Sequence, residues 1–199
     1  MKAIKLLAVL TLTLSGFAQT QAAVVLHTDT YDGHVYKLIA DDSGSRISWL
    51  DAEAAAVGMG GHLVTINDDA ENAFVLGAFS AAAISAAAGE NGLSLWIGLN
   101  DFTQEGQWVW ADGSALSYSN WHFAEPAATF ADEDFVGMTV FDWWSGPAGK
   151  WHDIIGDWRF NDVTFGVVEM EAPIPGTFWL LFSGLFALGF VRNRKQLRI

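Results

Sequence analysis

Six side chains in the second half of the chain are of the types that build hydrolytic metal centres: His122, Asp132, Glu133, Asp134, His152 and Asp153. Gathered at one point, such imidazoles and carboxylates would bind a divalent cation and activate water. Their spacing does not favour it. There is no His-Glu-x-x-His pattern to set two ligands on one helix face, and no Gly-x-Ser-x-Gly elbow to expose a nucleophile. Two histidines on separate loops more often serve as satisfied surface or core residues, so the chain is read as a non-enzyme. The aromatic residues suggest recognition instead. Trp143 and Trp144 fall in a loop from Asp142 to Gly149 beside Ser, Gly and Pro, where consecutive rings do not readily both face inward. Flat rings stack on sugar faces, so the pair is a candidate binding platform, with burial beneath the loop as the competing reading.

Charge narrows the partners. All 23 acidic residues lie between Asp29 and Glu171, and only Lys37, Arg46, Lys150 and Arg159 oppose them there, a net of −19 for that stretch. Such a surface repels nucleic acid and anionic head groups, and favours cations, neutral glycans or basic proteins. Cysteine is absent, which removes disulfides, zinc-thiolate sites and a thiol nucleophile together. Stability must come from packing, for which ten Trp and fourteen Phe are available.

The elements that would position these residues are legible in outline. Val24 to Leu26, the Asp32-Gly33 turn and His34 to Ile39 predict a hairpin. Ser48 with Asp51 predicts a helix start, Ala52, Ala55, Ala56 and Met59 give its face, and Gly60-Gly61 ends it. A strand is expected over His62 to Ile66. Asp68 with Glu71 then caps a second helix through Phe74, Val75 and Phe79. The alanine-rich run from Ala81 to Ala88 either extends that helix or forms an insertion. Short strands are expected at Leu95 to Leu99, Gln107 to Trp110, Phe135 to Phe141, Lys150 to Ile154 and Phe165 to Met170. Two early helices and a strand-rich second half make an α+β domain.

Taken in order, these pieces resemble a C-type lectin-like domain. The resemblance rests on the runs beginning at Trp49, Gly60, Glu71, Leu95 (Leu-Trp-Ile-Gly-Leu-Asn-Asp) and Glu105 (Glu-Gly-Gln-Trp-Val-Trp), then on Tyr118 to Trp121, Glu133-Asp134, Gly149 to Asp153 and Val167 to Glu169. It extends from about Gly33 to Glu169. The family commonly carries two disulfides. The matching positions here are Ala56 with Val168 and Phe135 with Gly156, which implies that apolar packing replaces the bridges, as in bacterial members without cysteine. Trp49, Trp96, Trp108, Trp110, Trp121 and Trp151 fall in the family's structural motifs and are expected in the core.

The resemblance also implies a ligand site. Sugar-binding members hold calcium with a Glu-Pro-Asn motif, a second Glu and a Trp-Asn-Asp motif. The corresponding residues here are Glu125-Pro126-Ala127, Glu133 and Trp151-His152-Asp153. Three carboxylates remain, from Glu125, Glu133 and Asp153, but Ala127 offers no side-chain oxygen and His152 is a poor ligand for a hard cation that wants six to eight oxygens. Asp132, Asp134 and the rival motif Phe160-Asn161-Asp162 are further oxygen sources. Weak calcium binding and an acidic loop without metal both remain open. Glu125, Glu133 and Asp153 are thus the candidate metal residues, and Trp143, Trp144 and His152 the candidate ligand contacts.

Both ends of the chain speak to destination. Lys2 and Lys5, an apolar run from Leu6 to Leu14, and small residues to Ala22-Ala23 have the layout of a signal peptide over 1–23. Residues 172–199 resemble the exosortase-recognised (PEP-CTERM) sorting tail: Pro173-Ile174-Pro175-Gly176, fifteen mostly apolar residues from Thr177 to Val191, and a basic end at Arg192, Arg194, Lys195 and Arg198. The run falls short of the roughly 20 residues of an ordinary span, though a simple membrane anchor is the competing reading. The tail implies passage through the inner membrane of a Gram-negative bacterium, contact with a sorting protease, and release at the cell surface or outside. The domain between, 24–171, is then an exported binding module for glycan or extracellular polysaccharide, or alternatively an adhesive surface protein that uses the same fold for protein contacts.

Overall fold

The computed structural model describes residues 23–88, 93–127, 133–142, 146–155 and 163–173. Residues 1–22 of the expected leader, residues 174–199 of the expected tail, Trp143, Trp144, Asp132, Gly156 and Phe160 to Asp162 lie outside them. Among the described residues no helix is long and apolar enough to cross a membrane.

The chain opens with a hairpin, β1 (Val24–Tyr31) and β2 (His34–Ala40), turned by Asp32 and Gly33 at positive φ. Then come α1 (Trp49–Gly58), β3 (His62–Leu63), α2 (Asp69–Ala86), β4 (Leu93–Asn100), β5 (Val109–Trp110), β6 (Phe135–Thr139), β7 (Trp151–Ile154) and β8 (Val163–Glu171). The strands form one sheet in the order β1-β2-β8-β4-β6-β7, with β3 also on β8 and β5 on β4. Pairing is antiparallel except between β4 and β8, which run parallel from Leu93↔Val163 to Trp96↔Gly166. The expected α+β, two-helix architecture is what the structure shows. Several elements differ in extent: β1 runs on to Tyr31, β5 is only Val109–Trp110, β6 ends at Thr139 and β8 starts at Val163. The strand expected over His62 to Ile66 pairs as a strand only at His62 and Leu63, and the alanine run extends α2 as far as Ala86.

Side-chain alternation builds a core on each face of the sheet. Leu38, Leu95 and Val167 join one cluster with Val75, Phe79 and Ala83 of α2, while their neighbours Ile39, Trp96 and Val168 join the other with Trp49, Ala52 and Ala56 of α1. Because both faces are covered, every residue of β4 is buried. Two indoles lock α1 to that central strand. Trp49 Nε1 donates to the Ile97 carbonyl and Trp96 Nε1 to the Ile47 carbonyl, each at 2.8 Å. Ala56 and Val168 are both fully buried in the α1-side cluster, and Phe135 stacks on Trp49 at 4.6 Å. Packing therefore occupies the described positions where a bridged relative would carry cysteine.

Both helix starts use the capping residues named above. Ser48 Oγ accepts from Asp51 N–H, and Asp68 Oδ1 from Glu71 N–H at 2.8 Å. The second box is displaced, however. Glu71 reaches past Asp68 to accept from Asn67 N–H at 2.8 Å, and its other oxygen accepts from Tyr36 O–H at 2.8 Å. A buried carboxylate read as a cap thus also ties α2 to β2.

Candidate functional site

β7 is the shelf on which the acidic residues meet. Trp151 is wholly buried, with Trp110, Tyr118 and Trp121 edge-on to it at 5.6–6.0 Å. Its indole N–H donates to Asn72 Oδ1 of α2 at 2.8 Å. Of the six indoles expected in the core, Trp49, Trp96, Trp110 and Trp151 are buried, while Trp108 and Trp121 are half-buried and pack against its edge. With Trp151 pinned, the segment before it is fixed as well. Trp151 N–H donates to the Asn120 carbonyl and His122 N–H to the Trp151 carbonyl. Glu125 N–H then closes a turn on the His122 carbonyl at 3.0 Å. The Glu125–Pro126 peptide is cis.

That turn brings Glu125 against Asp153. Ala127 N–H donates to Asp153 Oδ1 at 3.2 Å, and Asp153 is buried. Burial, the hydrogen bond to Asp153, the Asp153 charge and then Glu133 together push the Glu125 carboxyl up to about 8. At neutral pH the pair therefore holds a proton, because two carboxylates in contact resist double ionisation. Glu125 Oε2 is buried with no hydrogen-bond partner among the described residues. A fourth carboxylate borders the group. Asp101 lies at the end of β4, with its N–H on the Asp134 carbonyl and its Oδ2 accepting from Gly106 N–H at 2.7 Å. Burial raises its pKa, and the charges of Glu105 and Asp153 raise it further. Its Oδ1 is also buried without a partner among the described residues.

His152 faces elsewhere. Its Nε2 meets Ser94 Oγ on β4 at 3.0 Å, across the intervening strand β6. Gly137 allows this reach, since a Cβ there would come within 3.4 Å of His152 Nε2 and 2.6 Å of Ile154 Cδ1. Burial, and then the neighbouring His122, press the His152 imidazole down to about 4, so it is neutral near pH 7. It is directed away from the carboxylates it neighbours in sequence.

The candidate residues therefore divide. Glu125 and Asp153 are in contact and Glu133 is near enough to act on them, while His152 belongs to the sheet and Trp143 and Trp144 lie outside the described residues. Calcium finds a poor fit here. The carboxylates converge, but Ala127 brings no side-chain oxygen, its N–H is given to Asp153, His152 is turned to Ser94, and among the described residues no three His, Asp or Glu side chains are arranged to enclose an ion. For Asp101 the sequence offers no site signal beyond its place directly after the buried strand and four residues before Glu105.

A second polar cluster lies where β2, β3 and β8 adjoin. His34 Nδ1 meets Glu169 Oε1 at 2.6 Å, Tyr36 O–H donates to Glu169 at 3.2 Å, and Thr65 N–H donates to its other oxygen. A crevice of about 330 Å³ opens beside it, lined in part by His34, His62, Asp112 and Glu169. The partners named here already occupy both Glu169 oxygens.

Comparison with known proteins gives this geometry a family. The sequence profile described as "Lectin C-type domain" matches residues 45–160. The chain is 35% identical over 123 residues to human C-type mannose receptor 2, covering 62% of this chain and only 7% of that receptor's length. It is 30% identical over 138 residues to an alpha-N-acetylgalactosamine-specific lectin of Patiria pectinifera, covering 67% of this chain and 68% of the lectin. Among solved structures, the cow C-type carbohydrate-recognition domain of CD23 superposes with a TM-score of 0.55 at 26% identity, over 74% of this chain and 95% of that domain. The chain belongs to the C-type lectin domain family and is a lectin-like binding module.

Proposed function

We propose that the chain is an exported module that binds carbohydrate, an extracellular polysaccharide in particular, at the corner formed by Glu125, Glu133 and Asp153, with weak or no dependence on calcium. The observation that carries this is the Glu125–Asp153 carboxyl pair, brought together by the turn anchored on Trp151. Carboxylate oxygens accept strong hydrogen bonds from hydroxyls, so the pair can address a sugar directly. The Patiria relative is named as a sugar-specific lectin, and the CD23 domain was solved in the presence of GlcNAc2Man3 oligosaccharide, which supports a glycan as the ligand class. Export and surface sorting rest on the leader and tail motifs alone, and peptide mass spectrometry of the surface-located protein tests them. Peptides from Arg194 onward would mean a simple anchor rather than a processed tail. The binding test is a glycan array with calcium and with chelator. Binding in both, lost in Glu125→Gln and Asp153→Asn, is the expected result. Binding that vanishes with chelator would make the site an ordinary calcium site, and no glycan binding in either condition would leave protein adhesion as the function.

A further inference from the structure

The sheet has one long open side. In the order β1-β2-β8-β4-β6-β7, β1 is a terminal strand, and among the described residues no strand pairs with its outer side. The other end is shorter: β7 has four residues, and Trp151 on it already bridges Trp121. β1 runs for eight residues and carries neither Lys nor Pro, which commonly blunt an exposed edge. Asp32 and Gly33 at positive φ make a two-residue hairpin turn closed by Tyr31 and His34. Alternation from that pair turns the N–H groups of Thr30 and Thr28 outward. Thr30 N–H accordingly donates to a side chain, Asp29 Oδ1 at 2.7 Å, which sets the Asp29 carboxylate at the edge. Asp29 and His27 stand opposite Tyr36 and Leu38 of β2, both in the α2-side cluster, so the two share that face. The His27 ring is held edge-on to Phe79 at 5.7 Å.

Self-pairing of this strand has a preferred register. Antiparallel copies that keep like faces together must centre on one residue. Centred on Asp29, two carboxylates oppose each other. Centred on Thr30, the pairing runs off the strand at the Asp32-Gly33 turn, and the bulge between Val25 and His27 blocks a slide toward Val24. Centred on Thr28, His27 of each copy faces Asp29 of the other, a complementary pair repeated across the axis. We propose that β1 is a self-association edge, where two copies of this chain pair β1 to β1, antiparallel and centred on Thr28. The two sheets become one, and the Glu125–Asp153 corners, carried beside β7, come to its opposite ends. Such a pair suits a polymeric partner, because the second contact is intramolecular once the first is made.

The absence of native cysteine gives a direct test on the full-length chain in mild detergent. Thr28→Cys should give a disulfide-linked dimer on gentle oxidation, since opposed residues of a hydrogen-bonded pair stand about 5.5 Å apart between Cα atoms, within disulfide reach. Leu50→Cys, an exposed position on α1, should not. Adding Thr30→Pro to Thr28→Cys removes an outward N–H while sparing the β1–β2 ladder, and should cut the dimer yield by about tenfold. A second arm decides the matter should that proline unfold the hairpin. Thr28→Cys chains carrying His27→Glu or Asp29→Lys should cross-link poorly alone and well when mixed, because only the mixture sets complementary groups across both sides of the axis. No dimer from Thr28→Cys, equal cross-linking at Leu50→Cys, a yield unchanged by Thr30→Pro, or a mixture no better than its parts overturns the proposal. A monomer whose β1 amides are protected from hydrogen exchange would mean that another segment of the same chain covers the edge, and equally overturns it.

Discussion

A carboxyl raised to about 8 and an imidazole lowered to about 4 flank one short strand, and they act on stability in opposite directions. Glu125 is protonated in both states well below its ordinary 4.5. As pH climbs from there through 8, the unfolded chain releases the proton first, so folding is progressively penalised. His152 is neutral in both states above 6.5. As pH falls from there toward 4, only the unfolded chain gains the proton, and stability falls on that side instead. Between about 4.5 and 6.5 the two slopes offset, so the Glu125 penalty should emerge above 6.5. Melting curves of Glu125→Gln against wild type should diverge between pH 6.5 and 8, with the variant losing less stability; parallel curves would show that the pair carries no shared proton. Calcium should do little here. At 2 mM and a comparable dissociation constant, it would raise the melting temperature by only about 1–2 °C. A large shift that Glu133→Ala abolishes, absent with magnesium at equal ionic strength, would restore a working metal site. The carboxylates were legible because their types and spacing survive in the chain. The direction of His152 was not, because it depends on the missing side chain of Gly137, one strand away.

At the scale of elements, the caps and periodic faces were readable because they are local. Ser48, Asp68 and the stripe Val75, Phe79, Ala83 act within a turn or two of their own positions, and both helices begin where those residues place them. Strand lengths were less legible. Thr65 and Ile66 look like strand residues, but β8 pairs only with His62 and Leu63 on that side and gives its next residues to β4. The position of Glu71 shows how one residue answers to two scales, since its N–H is part of a cap while its carboxylate reaches Asn67 and Tyr36. Asp68→Ala should cost about 1 kcal/mol, the usual loss for an N-cap. Glu71→Ala should cost more, since it also leaves the buried Tyr36 hydroxyl with a single weaker partner in Glu169. Chemical denaturation of the two variants checks the order, and an equal loss would mean that the Tyr36 contact contributes nothing.

For the molecule as a whole, charge and chain order matter most. With −19 between Asp29 and Glu171, self-repulsion should be relieved by salt, and the melting temperature should rise between 10 and 150 mM sodium chloride. A flat response would show that the acidic residues are too well spread to repel. Chain order has its own consequence. β8, the last strand, is bonded to β2, β3 and β4, all from the first half of the chain, and it completes both cores through Val167 and Val168. These are long-range pairings, which form late and slowly. During synthesis the segment up to about residue 162 would have a sheet open at its centre and no means of closing it. Nascent chain would stay without a closed core until β8 emerged, so the whole domain should fold in one late step.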